Sequence, residues 1–287
     1  MSWLQAVLLG ALQGLTEFLP VSSSGHLVLA EQGMRQLGGS AMPAPQSEPM
    51  LLFDLSVHVG TLAAIIAVFA PQLRRYLRSL VAQIPRVGSL ASARPPGALY
   101  ITALGVVACI PTAGLGLYFK DWFETAFGRP GMVGLGLLVS GALLVAAELR
   151  PRPVKGFRRF GVGGALLVGL AQGVAIAPGI SRSGATICVA LLCGLRRRWA
   201  GQFSFLIAAP AIVGGSAIKL AEVLGGSAGR SVAIGPIVVG AVVAGVVGYV
   251  ALRLLLSAIQ RARLHYFGYY CWVVGLVAIL GSWAGWL

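Results

Sequence analysis

Charged side chains are what this chain lacks most. They make up 10% of its 287 residues, against about 25% in a soluble domain, and that shortage excludes an ordinary water-soluble fold. Histidine is rarer still, with 3 in the chain, and cysteine numbers 4. Cys109, Cys188, Cys193 and Cys271 lie inside apolar segments. Neither their spacing nor a nearby histidine matches a zinc site, so they read as free thiols acting as small hydrophobes. The N-terminus lacks a basic n-region and an Ala-x-Ala cleavage site, so it is not read as a removed signal. No stretch reads as a separate soluble domain. What the chain has in abundance is apolar residues, at 57%. Its formal charge of +14 is spread through loops between apolar segments and forms no single patch. That excludes a nucleic-acid surface and matches the positive-inside pattern, with anionic lipid headgroups as a secondary attraction.

A membrane span needs about 17–25 apolar residues. Segments 50–70, 98–119, 132–149, 203–224, 232–256 and 266–287 meet that length. Basic loops at 74–94, 150–159, 196–198 and 253–263 are assigned to the cytoplasm. The weakly charged connections near 120–129 and 225–230 fall outside. Segment 160–195 has a basic cluster at each end, both cytoplasmic, so it must enter the membrane and return. Its midpoint, Pro178-Gly-Ile-Ser-Arg-Ser-Gly184, leaves the helix and cannot face lipid. The first thirty-odd residues have the same character, with a loop at 33–49 outside. Both are read as re-entrant helical hairpins. The expected fold is an all-α polytopic membrane protein of six transmembrane helices plus two such hairpins.

The two breaks resemble each other. GALQGLTEFLPVSSSGHLVLA (10–30) aligns with VGLAQGVAIAPGISRSGATICVA (168–190). Gln13-Gly14 meets Gln172-Gly173, Pro20 meets Pro178, and Ser24-Gly25 meets Ser183-Gly184. With a one-residue shift, Ser22 faces Ser181 and Ser23 faces Arg182. Each hairpin precedes three spans. Three is odd, so the second copy is inserted upside down. The chain reads as one integral membrane domain: residues 1–150 form the first repeat, with its hairpin at 1–33. Residues 151–287 form the second, with its hairpin at 160–195. Broken helices in inverted repeats meet near the midplane and form a site. Two half-helix N-termini facing one another favour an anion there.

The polar residues of the breaks carry the chemistry. Gln13 and Glu17 share a helix face. A carboxylate at membrane depth is costly and points to function; Glu17 fits a general base, an orienter of histidine, a metal ligand, or a cap for the break. Ser22, Ser23 and Ser24 exceed what a helix cap needs, so a nucleophile or phosphate donors enter. His26 fits acid–base work or a satisfied core histidine. Arg182 needs an anionic partner, either a phosphate or Glu17, and its fork suits both. Ser181, Ser183 and Thr186 are further donors or caps. Asp54 and His58 share a face of the first full span as supports of the site, metal ligands, or a buried pair. Lys219 and Glu222 read as a local i,i+3 pair, Glu148 as snorkelling beside Arg150, and Ala241, Ala244, Gly245 and Gly248 as helix packing.

Gln13-x-x-x-Glu17 with Pro20-Val-Ser-Ser-Ser-Gly-His26, and Pro178-Gly-Ile-Ser-Arg-Ser-Gly-Ala-Thr186, resemble the two signatures of the undecaprenyl pyrophosphate phosphatases of the bacitracin-resistance type. The resemblance extends over essentially the whole chain in length, span order and motif placement. It implies a bacterial inner-membrane enzyme that removes one phosphate from undecaprenyl pyrophosphate and so recycles the lipid carrier of cell-wall synthesis. It implies a divalent cation, Mg2+ or Ca2+, and a site open to the periplasm. Carried over by motif, Glu17, Ser23, His26 and Arg182 are the expected catalytic residues. Gln13, Ser22, Ser24, Ser181, Ser183 and Thr186 are the expected substrate contacts. Glu17 and Asp54 are the candidate metal ligands. Many members have Glu at the position of Gln13, which here removes one carboxylate. The expected mechanism has Ser23 attack the terminal phosphorus, activated by Glu17 or His26, after which His26 activates water; direct attack by water is the alternative. Expected partners are the polyprenyl diphosphate, membrane lipids and a second copy of the chain in a homodimer.

Two other readings compete. Lipid phosphatases with Ser-Gly-His and Ser-Arg-x5-His-x3-Asp motifs share Ser24-Gly25-His26 and Ser181-Arg182, but Cys188 and Leu192 stand where their histidine and aspartate belong. A polyprenyl phosphate transporter is the second, since inverted repeats with broken helices are also transporter architecture. The Ser/His/Glu cluster favours chemistry, because transport requires no nucleophile.

Overall fold

The computed structural model describes residues 1–36, 43–44, 47–83, 97–149, 153–225 and 233–285. Every element in them is a helix: α1 (Trp3–Phe18), α2 (Ser23–Gln36), α3 (Glu48–Gln83), α4 (Ala98–Tyr118), α5 (Lys120–Phe127), α6 (Pro130–Glu148), α7 (Phe157–Val174), α8 (Arg182–Leu192), α9 (Arg197–Gly225), α10 (Ile234–Gln260) and α11 (His265–Trp283). Six of these, α3, α4, α6, α9, α10 and α11, are long and apolar enough to cross a membrane. They coincide with the six expected spans. The boundary that moved furthest is the end of α3, expected at residue 70 and found at Gln83. Arginine is a good helix former, so the basic segment that begins at Arg74 continues the helix before any loop starts. The remainder of that segment, the loops at 150–152 and 226–232, and most of 37–46 lie outside the described residues.

The outer surfaces of the spans are apolar. On α10, Val238, Val242 and Val246 are exposed while Gly240, Ala244 and Gly248 are buried. A helix in water would turn its branched apolar side chains inward; here the small residues face the protein and the large ones face outward, as in a bilayer. Close approach follows from that choice. A Cβ on Gly14 would lie 2.5 Å from the carbonyl oxygen of Ala244, and one on Gly60 2.1 Å from that of Ala241. Thus α1 and α3 both pack on α10, and the expected packing role of Ala241, Ala244, Gly245 and Gly248 is what the structure has. On the other side of the molecule α7 packs on α4, where a Cβ on Gly169 would lie 2.0 Å from the Ala108 oxygen. Helices α6 and α11 form the fourth close pair.

Of the five remaining helices, α1 pairs with α2 and α7 with α8. Helix α1 has 16 residues and α2 has 14, about 24 and 21 Å, and residues 19–22 turn one into the other. Helix α8 has 11 residues, and α7 is interrupted at Gly161, which has φ +63°. Backbone bonds close the ends of the α7–α8 segment on each other. Lys155 N–H donates to the Gly194 carbonyl at 2.8 Å and Arg196 N–H to the Lys155 carbonyl at 3.1 Å. The segment therefore finishes where it starts.

Glu148 departs from expectation. Instead of snorkelling beside Arg150, which is outside the described residues, it is half-buried and takes both ends of the Arg197 guanidinium at 3.0 and 2.9 Å. It also accepts the Leu264 N–H at 3.2 Å. The bidentate fork ties the ends of α6, α9 and α11 together. None of the four cysteines, all among the described residues, forms a disulfide.

Candidate functional site

Two interrupted helices meet at their breaks. Helix α2 starts with Ser22 as its cap: the Ser22 Oγ accepts the Gly25 N–H at 3.3 Å. Helix α8 starts with Ser181 in the same role, its Oγ accepting the Gly184 N–H at 3.1 Å. Serine suits both places because its oxygen satisfies a backbone donor that has no partner in the first turn. The breaks touch one another. A Cβ on Gly25 would lie 3.1 Å from the Gly179 Cα, and one on Gly184 would lie 3.2 Å from the Pro20 Cβ. Ser140 of α6 holds the second break, donating to the Gly179 carbonyl at 3.1 Å and accepting the Ser181 N–H at 2.8 Å.

Glu17 sits at the junction. One carboxylate oxygen accepts the Ser23 hydroxyl at 2.6 Å and the Gln13 amide at 3.2 Å. The other accepts the Arg182 guanidinium. The Glu17 side chain is 3% exposed and Arg182 is 25% exposed. A buried carboxylate in apolar surroundings needs its counter-ion and hydrogen bonds together, and here it has both. The arrangement leaves a serine hydroxyl with its proton already directed at a base, next to a guanidinium that reaches solvent. That is the donor set of an activated nucleophile beside an anion clamp.

This cluster forms the floor of an open cleft of about 650 Å³. Glu17, Ser22, Ser23, Ser24, Ser181 and Arg182 reach it, with His58, Thr112 and Gln172 beside them. Its walls, drawn from α4, α5 and α9, are mostly apolar, with Lys120, Glu124 and Lys219 among them. The other expected residues stand behind this surface. Gln13 is fully buried under Glu17. Ser183 faces the Ser181 hydroxyl at 3.3 Å and the Leu19 carbonyl at 3.5 Å. Thr186 donates to the Arg182 carbonyl at 2.8 Å and meets the Ser204 hydroxyl at 2.6 Å. His26 is buried, with Nδ1 2.8 Å from the Ser22 carbonyl and Nε2 2.8 Å from the Tyr270 hydroxyl.

Asp54 and His58 share their helix face as expected, but they are held differently. The His58 ring takes the Asp54 backbone carbonyl at 2.7 Å and faces the cleft. The Asp54 carboxylate accepts Lys219 of α9 at 3.3 Å, and its second oxygen has no hydrogen-bond partner. Lys219 therefore bridges two helices; the Glu222 side chain proposed as its neighbour lies outside the described residues. Among the described residues, no three His, Cys, Asp or Glu side chains converge as a metal cage. The Oε1 atoms of Gln13 and Gln172, corresponding positions in the two breaks, are both buried without a partner.

Several contributors carry no local signal. Ser140 and Ser204 are single hydroxyls in long apolar helices, a weak hint at most. Tyr270 sits between other aromatics of α11 that face outward, and nothing in its surroundings marks it.

The sequence matches the family described as bacitracin resistance protein BacA over residues 6–277. It is 42% identical over 282 residues to an undecaprenyl-diphosphatase of Halorhodospira halophila, covering 96% of both chains. An undecaprenyl-diphosphatase of Desulforapulum autotrophicum is 40% identical over 282 residues, covering 97% of this chain and 98% of the relative. One from Rubrobacter xylanophilus is 42% identical over 278 residues, covering 96% and 97%.

Proposed function

The chain belongs to the bacitracin resistance protein BacA family, and from that premise we infer that it is a membrane undecaprenyl-diphosphatase. It hydrolyses undecaprenyl diphosphate to undecaprenyl phosphate and inorganic phosphate, the activity its relatives are named for. The single observation that carries the site is the Ser23 hydroxyl at 2.6 Å from a carboxylate whose other oxygen holds Arg182. A carrier that only moved the lipid would need the guanidinium but not the serine–carboxylate pair.

The reaction follows from these groups. The incoming diphosphate draws Arg182 from Glu17 onto the terminal phosphate, helped by the amide ends of α2 and α8. Ser23 Oγ attacks that phosphorus and its proton passes to Glu17. The bond from phosphorus to the bridging oxygen breaks, and undecaprenyl phosphate leaves with the electron pair. Glu17 releases its proton to the departing phosphate, then takes one from the water that cleaves the phosphoserine. Glu17 returns that proton to the serine oxygen as its bond to phosphorus breaks, so that serine and the carboxylate are both regenerated and inorganic phosphate departs. Most of the barrier reduction comes from positioning and charge neutralisation. The mostly apolar walls let the polyprenyl tail remain in lipid.

A divalent cation fits as a partner of the substrate, not of a protein cage. Magnesium is commonly held by one or two carboxylates together with substrate phosphates. Glu17 and the unpartnered Oε1 of Gln13 are the oxygens that would hold it, and its chemistry would be neutralisation of diphosphate charge. Asp54 is less suited, since Lys219 occupies its carboxylate.

Three observations support two re-entrant hairpins in an inverted repeat. The ends of the α7–α8 segment are bonded together. The caps Ser22 and Ser181 are equivalent in role. Helix α1 packs on α10 while α7 packs on α4, the exchange of partners that a twofold relation between copies requires. Cleft residues from α3, α4 and α9, such as His58, Leu117 and Lys219, come from the end of each helix remote from the basic segments. With arginines inside, the cleft opens toward the periplasm of a bacterial inner membrane.

The test is phosphate release from undecaprenyl diphosphate by purified protein in detergent, where transport cannot register. Release by wild type that disappears in a folded Arg182→Ala variant is expected. A folded wild type that releases none with magnesium or calcium would refute the assignment.

A further inference from the structure

We propose that His26 and Tyr270 are positioning residues that hold the Ser22–Ser23 turn, and that His26 does not exchange protons with substrate. The proposal rests on the hydrolase reading above and reassigns the histidine that the motif marks for acid–base work. It starts from the backbone. Ser22 has φ +70°, one of two non-glycine positions with positive φ among the described residues. A side chain with a Cβ resists that conformation, so something must hold it there. Ser22 immediately precedes Ser23, and its conformation sets where the Ser23 hydroxyl points.

The Ser22 carbonyl is bound twice by His26, by its backbone N–H at 3.2 Å and by Nδ1 at 2.8 Å. A carbonyl only accepts, so Nδ1 carries the proton. In the neutral ring Nε2 is then an acceptor, and the partner 2.8 Å away, the Tyr270 hydroxyl, donates to it. The two rings are nearly parallel, at 9°. Both ring nitrogens are therefore committed, one to the turn and one to α11. The Tyr270 ring is about half exposed on a span whose surroundings are apolar. A hydroxyl there has a strong reason to keep its partner. Ser22, Ser23 and Ser24 reach the cleft but His26 does not. Its influence on the reaction runs through Ser22.

The test compares kcat and KM for phosphate release among His26→Ala, His26→Asn and Tyr270→Phe. An asparagine amide can occupy the place of Nδ1 and donate to the Ser22 carbonyl, yet it cannot shuttle a proton. His26→Ala should lower kcat by roughly 100-fold, the scale of a misplaced reacting group. His26→Asn should recover to within about 10-fold of wild type. Tyr270→Phe keeps the ring and should lower kcat about 10-fold, with KM nearly unchanged, from loss of one buried hydrogen bond. His26→Asn as inactive as His26→Ala, or Tyr270→Phe as active as wild type, would overturn the proposal.

A readout independent of turnover is the coupling in thermal unfolding. Tyr270→Phe should destabilise the wild type and have almost no further effect in His26→Asn, which lacks the Nε2 acceptor. Equal losses in both backgrounds would overturn the brace even in a protein that releases no phosphate, whereas absent turnover with intact coupling would overturn only the hydrolase reading.

Discussion

Removing Arg182 should have two separable consequences, because the guanidinium that pairs with Glu17 in the resting protein is also the proposed clamp on the substrate. In the resting state it neutralises Glu17, whose side chain is 3% exposed. Arg182→Ala leaves that carboxylate with only the Ser23 and Gln13 bonds. Breaking a buried pair by deleting one partner costs roughly 3–5 kcal/mol. Arg182 is 25% exposed, which puts this case near the lower end, about 3 kcal/mol. At roughly 2–4 °C per kcal/mol, melting in detergent should fall by about 6 °C or more. In the reaction, an arginine on the transferring phosphoryl group is worth about 10³–10⁵ in rate, so kcat/KM should fall by at least about 1,000-fold. The double variant Glu17→Gln/Arg182→Ala separates the two effects. A neutral amide needs no counter-ion, so the double variant should recover most of the lost stability and none of the activity. Thermal unfolding of monodisperse protein and phosphate release measure the two sides. An Arg182→Ala protein with more than about a tenth of wild-type turnover, or a double variant no more stable than the single, would refute the pairing as described.

The remaining expectations follow from the same geometry. Ser23→Ala should lower kcat by at least about 100-fold and by much more than Ser24→Ala; acid-quenched turnover analysed by mass spectrometry should find phosphate on the peptide that carries Ser23, and phosphate found elsewhere would contradict the assignment. Gly169→Ala should destabilise the fold by about 1–3 kcal/mol, because its Cβ would lie 2.0 Å from the Ala108 oxygen, whereas Gly163→Ala meets nothing within 4 Å and should leave melting unchanged. EDTA should abolish turnover and added magnesium or calcium restore it, while the melting temperature stays constant, since no described cluster of three ligands holds a metal in the resting protein.

How much of this was legible depended on whether the signal was local. The six spans were, because a bilayer sets a length and a composition that no soluble helix needs. Their ends were less so: α3 runs on to Gln83 because helix propensity does not stop where hydrophobicity does. Glu17, Ser23 and Arg182 were conspicuous as polar groups where apolar ones belong, and their convergence was foreshadowed by the match between the two breaks. Partnerships across the fold were hidden. Glu148 was read against its neighbour Arg150, yet its partner is Arg197, 49 positions away. Lys219 reaches Asp54, 165 positions away, a partner its expected neighbour Glu222, whose side chain lies outside the described residues, gave no hint of. Tyr270 meets His26 across 244 positions, and no periodicity encodes such a pairing. A charged or hydroxyl group announces that it needs a partner; the topology chooses which.

The proposed repeat also explains why the site is asymmetric on a scaffold that is not. Ser22 and Ser181 cap corresponding half-helices by the same bond. One residue further, the copies differ: the first carries the Ser23 hydroxyl and the second the Arg182 guanidinium. Gln13 and Gln172 also correspond, and four residues beyond them stand Glu17 in the first copy and Ile176 in the second. A symmetric pair of carboxylates would place two negative charges beside an anionic substrate, and a symmetric pair of arginines would leave no base. With one carboxylate, one hydroxyl and one guanidinium, the junction is close to neutral at rest. In the proposed mechanism it gains a free positive group only when the diphosphate competes Arg182 away from Glu17, and the same exchange leaves Glu17 free to take the Ser23 proton. Substrate binding and activation of the nucleophile are then a single event, which two identical half-sites could not produce.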